Sequence, residues 1–162
     1  MSETIKVGMA DLKICLAPDC LTTLGLGSCV GIALYDSSTK ITGLAHVMLP
    51  NSKEIKNNSN IAKFADTGIV ETIRLMEEAG AKRSRLTAKI AGGACMFAFA
   101  MKDNDSLNVG AKNVQAVKKI LSELKIPILA EDTGENYGRT VIMDSNTGML
   151  TIKAVGKTEK QI

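Results

Sequence analysis

The chain reads as an α/β protein of the α+β type: a layered sandwich of mixed or antiparallel β-sheets with at least two amphipathic helices packed outside. Three observations predict this class. Strand-like segments outnumber helical ones; they run in the order ββββ, α, β, α, βββ; and that order lacks the regular strand-helix alternation of a doubly wound parallel sheet. The 162 residues suit one domain, taken as 1–162, with 156–162 a polar tail.

Each element follows from local pattern. Residues 12–17 (LKICLA) and 21–26 (LTTLGL) are short apolar runs separated by Pro18-Asp19, which reads as two strands and a turn. SCVGIALY (28–35) alternates Val30, Ile32 and Leu34, and after DSSTK comes ITGLAHVML (41–49), together the strongest hairpin signal in the chain. The polar run 50–60 is a loop. Ser59 or Asn60 is placed to cap a helix whose stripe of Ile61, Phe64, Ala65, Ile69, Ile73 and Met76 continues to Gly80. LTAKIA (86–91) is a strand entering Gly92-Gly93, whereas ACMFAFAM (94–101) is too short to type by periodicity. A second helix covers about 109–125, with Val114, Val117, Ile120, Leu121 and Leu124 on one side. IPILAED (126–132), RTVIMD (139–144) and MLTIKAV (149–155) complete the strands, and GKTEKQI is expected to fray.

Composition narrows the function classes. Apolar residues make up 45% and charged residues 23%, so a folded core is expected, and at this length folding removes roughly 70% of the extended chain's surface from water. No metal or disulfide is needed as a staple. The net charge of +3 is too small to steer a charged partner, and with 3% aromatics and no Trp the stacking platforms of single-strand nucleic-acid binders are missing. No nucleic-acid partner is expected. The charged N-terminus and the lack of a long apolar run argue against export or membrane insertion and for the cytoplasm. Cys15, Cys20, Cys29 and Cys95 are then free thiols. Without a C-x-x-C pair, and with His46 the only histidine, no metal and no cofactor is predicted.

One constellation can carry chemistry. If Asp36 to Thr39 form a four-residue hairpin loop, Tyr35 pairs with Lys40, Leu34 with Ile41 and Cys29 with His46. Directly opposed Cβ atoms lie ~5 Å apart, within reach of a thiol and an imidazole. The same register gathers Val30, Ile32, Leu34, Ile41 and Val47 on the opposite face and leaves Gly31 and Ala33 beside the pair, like the floor of a shallow cleft. An imidazole that lowers the thiol pKa makes a cysteine nucleophile. Backbone N–H groups around Gly27 and Ser28, in LGLGS, are positioned to bind an oxyanion. Two readings of the pair stay open on pattern alone: a catalytic dyad, or a buried cysteine beside a hydrogen-bonded structural histidine. Gly92-Gly93 is either a tight bend or a cleft lining that allows close backbone approach. Cys15 and Cys95 read as core, Cys20 as an exposed thiol, and the eight methionines, Met96, Met101 and Met143 among them, as gap-fillers.

LGLGSCV at 24–30, His46 in GLAHVMLP, FADTGIVETIRLMEEAGA at 64–81, AKIAGGACMF at 88–97, NVGAKN at 108–113 and EDTGENYGRTV at 131–141 together resemble the CheD family of chemoreceptor glutamine deamidases, in the family's order through nearly the whole chain. The resemblance implies a layered α/β sandwich with Cys29 as nucleophile, His46 as base and acid, and Thr23 as the third member. It also implies hydrolysis of receptor glutamines to glutamates, methylesterase activity on receptor glutamyl esters, and a CheC-type phosphatase as partner. The chain departs from the family pattern at Ala91, where an aromatic is usual, and at Glu135, where a glycine is usual, so altered substrate contacts are expected there. Rival readings are another Cys-His amidase, a thiol protease, or a non-enzymatic chemotaxis adaptor that regulates the phosphatase.

Overall fold

The computed structural model describes residues 2–95 and 108–162. It contains strands β1 (Thr4–Val7), β2 (Asp11–Leu16), β3 (Cys20–Leu26), β4 (Val30–Asp36) and β5 (Ile41–Val47), then helix α1 (Ala65–Glu78), β6 (Thr87–Gly92) and helix α2 (Val109–Glu123). Strands β7 (Ile128–Thr133), β8 (Arg139–Asp144), β9 (Leu150–Lys153) and β10 (Lys160–Gln161) follow. They build two five-stranded mixed sheets, β1-β3-β8-β9-β10 and β2-β5-β4-β6-β7, each with a single parallel pair, β1 with β3 and β6 with β7.

The period-2 alternation of β4 and β5 sorts the molecule into three layers. Val30, Ile32, Leu34, Ile41, Ala45 and Val47 face outward from the second sheet and meet Ile69, Ile73 and Met76 of α1 and Val117 and Leu121 of α2. Gly43 lets α1 press close, since a Cβ there would lie 2.5 Å from Thr72 Cγ2. On the inner face, Ala33, Leu44 and Ala91 pack against Leu21, Leu26, Val141, Met143 and Ile152 of the neighbouring sheet. Arg139 fastens the layers: its buried guanidinium donates from Nε to Asp132 at 2.9 Å and from Nη1 to the Gly134 carbonyl at 3.0 Å, linking β8 to β7. Tyr35 adds a second tie, its hydroxyl donating to Ser145 O at 2.7 Å.

Several expectations need correction. The hairpin closes with Asp36 opposite Ile41 and Gly31 opposite His46, so Cys29 does not face His46 directly. The displacement is two residues, which preserves the face each side chain takes. Its cause is Asp36, which is an anchor and not part of the loop: its buried carboxylate accepts from Ser38 N, Lys82 N and Arg85, while Lys40 turns through φ +56°. The face bearing Cys29, Gly31 and Ala33 is the interior between the sheets and not an open cleft floor.

Pro18-Asp19 joins two different sheets: β2 pairs with β5, and β3 with β1 and β8. Asn60 caps a 3-10 turn, Ile61–Lys63, and α1 begins only at Ala65 because Phe64 stays extended while Ala65 N donates to Leu49 O at 2.9 Å. The tail is not frayed, since β10 pairs with β9 and Ile162 exchanges both backbone hydrogen bonds with Leu150. Met143 fills the core as expected, while Met96, Met101 and most of ACMFAFAM lie outside the described residues. Cys15 is buried, and Cys20 and Cys95 are half-buried.

Candidate active site

Two strands, one from each sheet, and the turn between β3 and β4 supply the site. Thr23 sits in β3 of the first sheet, His46 near the end of β5 in the second, and Cys29 in the turn that carries the chain from β3 to β4. Thr23 and His46 are completely buried, and Cys29 retains 7% of its surface. The cysteine is therefore the member of the three that solvent touches.

The Thr23 hydroxyl spans the sandwich. Its Oγ1 lies 2.7 Å from His46 Nδ1 and donates to the Val7 carbonyl of β1 at 2.7 Å. A hydroxyl has one hydrogen to give. With that hydrogen on Val7 O, Thr23 accepts from His46 Nδ1–H, and the network assigns the tautomer whose Nε2 carries the free lone pair. That Nε2 is buried and has no hydrogen-bond partner among the described residues. Burial pushes the His46 pKa down and keeps the ring neutral.

Burial also pushes the Cys29 thiol up, its own backbone N–H pulling weakly the other way. Burial thus favours the neutral thiol and the neutral imidazole, where the sequence leads one to expect a thiolate stabilised by its neighbour. Cys29 lies in the turn one residue beyond the last rung of the ladder, Val30 with Val47, and makes no hydrogen bond to His46 Nε2.

The turn bearing Cys29 is held by its carbonyls. Gly27 O accepts from Ala94 N at 2.8 Å, Ser28 O from Asn113 Nδ2 at 2.9 Å, and Cys29 O from Gly93 N at 2.8 Å. Gly92 and Gly93 therefore support the turn from behind, as a tight bend at φ +107° and +66°; a Cβ on Gly92 would stand 2.3 Å from Cys29 O. Gly27 N–H is occupied by Gly25 O, and Gly93 N–H by Cys29 O. Ala91 is fully buried between the sheets, so its departure from the family pattern alters packing and makes no surface for a substrate. Glu135 occupies a left-handed conformation, φ +62°, the kind of position where glycine is the easier residue. Asn113 was not singled out from sequence, although it closes the NVGAKN motif; its partners come from two segments far away in the chain. No sequence signal marks Val7, because only its backbone acts.

The profile of the family described as CheD chemotactic sensory transduction matches residues 48–154. Over 162 residues, all of both chains, the sequence is 60% identical to a probable chemoreceptor glutamine deamidase CheD of Lachnoclostridium phytofermentans. The chain belongs to the CheD family. Among other CheD proteins it is 54% identical over 162 residues to the probable chemoreceptor glutamine deamidase of Syntrophomonas wolfei, and 50% over 163 residues to the chemoreceptor glutamine deamidase of Halalkalibacterium halodurans, again across all of both chains. The CheD profile begins at residue 48, beyond Thr23, Cys29 and His46, while the full-length CheD relatives span all three positions.

Proposed function

We propose that this chain is a protein-glutamine deamidase that acts from the cytoplasm on chemotaxis receptors, with Cys29 as nucleophile, His46 as base and acid, and Thr23 orienting the imidazole. The observation that supports it most is the buried, unpartnered Nε2 of His46, held in the accepting tautomer by Thr23. The names of the full-length relatives supply the substrate class.

Cys29 Sγ attacks the carboxamide carbon while its proton passes to His46 Nε2. The oxyanion that forms is received by the N–H groups of Ser28 and Cys29, Gly27 N–H being engaged by Gly25 O. The C–N bond breaks, ammonia leaves with the proton from His46, and a thioester remains. Water then attacks the thioester, giving one proton to His46; Sγ departs and recovers it. The balance is glutamine plus water to glutamate plus ammonia. A glutamyl methyl ester follows the same path with methanol as leaving group, which is the methylesterase activity the resemblance implies. A CheC-type phosphatase is proposed as protein partner on the same resemblance.

The purified chain, incubated with receptor cytoplasmic fragments, is expected to add about 1 Da per converted glutamine, NH2 being replaced by OH, with no backbone cleavage. Cys29→Ala is expected to stop the conversion and remain folded. Cleaved fragments would favour a thiol protease, and continued conversion by C29A would remove Cys29 as nucleophile.

A further inference from the structure

We propose that Asn113 is a positioning residue that sets the reach between Cys29 and His46, an inference that rests on the catalytic reading of that pair. The β4-β5 ladder has its last rung at Val30 and Val47. Beyond it the two strand ends part, one continuing back to Ser28 and the other on to Met48. The Asn113 carboxamide stands where the next tie would be. Its Nδ2 donates to Ser28 O at 2.9 Å and to Met48 O at 3.0 Å. One nitrogen with two hydrogens thus joins the residue before the nucleophile to the residue two positions after the base.

The orientation of the amide is fixed by these partners, because a flipped amide would bring its oxygen against two carbonyl oxygens. Asn113 is completely buried, and its Oδ1 has no hydrogen-bond partner among the described residues. An apolar residue would fill the same space without stranding an acceptor, so packing alone does not account for an amide here. The helix beneath it is seated with equal closeness. A Cβ on Gly110, one turn earlier in α2, would lie 2.3 Å from Ala94 O and 2.6 Å from Gly93 O. Gly93 and Ala94 are the residues whose N–H groups hold Cys29 O and Gly27 O. Helix, bend and nucleophile turn form one stack, and Asn113 is the link from that stack to the strand carrying His46.

The test reads the thiol directly and needs no receptor. Alkylation of Cys29 by iodoacetamide is followed by peptide mass spectrometry across about pH 5 to 9 in the wild type, His46→Ala, Asn113→Ala and Val117→Ala. Val117 lies one turn further along α2 in the core and has no polar group to bond either carbonyl, so V117A weakens the helix packing alone. N113A is expected to slow alkylation near neutral pH about tenfold and to move its pH profile toward that of H46A, while V117A melts earlier but keeps the wild-type profile. If N113A does not stay folded, Asn113→Ser is used, with the same direction expected. A wild-type profile in the Asn113 variant, or an equal shift in V117A, overturns the proposal and leaves the dyad standing. Coincident wild-type and H46A profiles overturn both, since there is then no pair to position.

Discussion

Thr23 and His46 are joined by a hydrogen bond whose direction is set by a third atom, the Val7 carbonyl. Removing the hydroxyl while keeping the shape therefore tests orientation rather than packing. Thr23→Val is expected to lower kcat on the order of a hundredfold, because neither imidazole tautomer is then preferred, and Thr23→Ser is expected to restore most of it. The pH dependence has a definite sign. As the proposed base His46 must be neutral, and burial depresses its pKa, so activity is expected to persist below the ordinary imidazole range and to fall only as pH drops through the depressed value. A plot of kcat/KM against pH is expected to show an acid limb with its midpoint below about 6.5. A midpoint above that value would show that the ring is not buried in the working enzyme.

At the scale of the element, Asp36 decides the hairpin. Its carboxyl is held well below the usual carboxylate range, first by Arg85 and then by the Lys82 and Ser38 N–H groups, against the opposing effect of burial. A group depressed in this way contributes stability that is complete above its unfolded pKa and drains away as pH falls toward the folded value. Asp36→Asn is expected to cost about 2 kcal/mol at neutral pH, and its stability is expected to vary less than the wild type's below about pH 4, both read from urea unfolding. The same residue explains what could be read from the chain and what could not. Faces were legible, because alternation over Val30, Ile32 and Leu34 fixes parity. Register was not, because the partner that draws Asp36 into the strand is Arg85, 49 positions on. The start of α1 was hidden for a similar reason, its first N–H being satisfied by Leu49 and not by a capping side chain.

For the whole molecule, the order of the layers predicts an order of opening. β4 and β5 are covered by helices on one face and by the other sheet on the other, whereas β1 and β10 end the first sheet. Hydrogen exchange is expected to be slowest at the amides of β4 and β5 and fastest in β1 and β10. A uniform profile would contradict a core centred on the second sheet. The two edge strands were also the ones invisible in the sequence: Thr4–Val7 and Lys160–Gln161 are too short for a period to register, and their pairing is set by β3 and β9. The proposed Cys-His-Thr set rests on residue types and a family pattern, and the Thr23–His46 hydrogen bond is the part of it that the structure displays. That its members lie between two sheets was not legible, because Pro18-Asp19 reads the same whether it turns a hairpin or crosses from one sheet to the other.

The bond from Thr23 to His46 runs from one sheet to the other, so no single rigid platform carries the whole apparatus. Sliding one layer past its mate by a single residue, about 3.3 Å, would exceed the tolerance of that contact. On the proposed mechanism, turnover is a gauge of alignment between the two halves. Mild denaturant that loosens their seating should silence the enzyme while most backbone ladders are still intact.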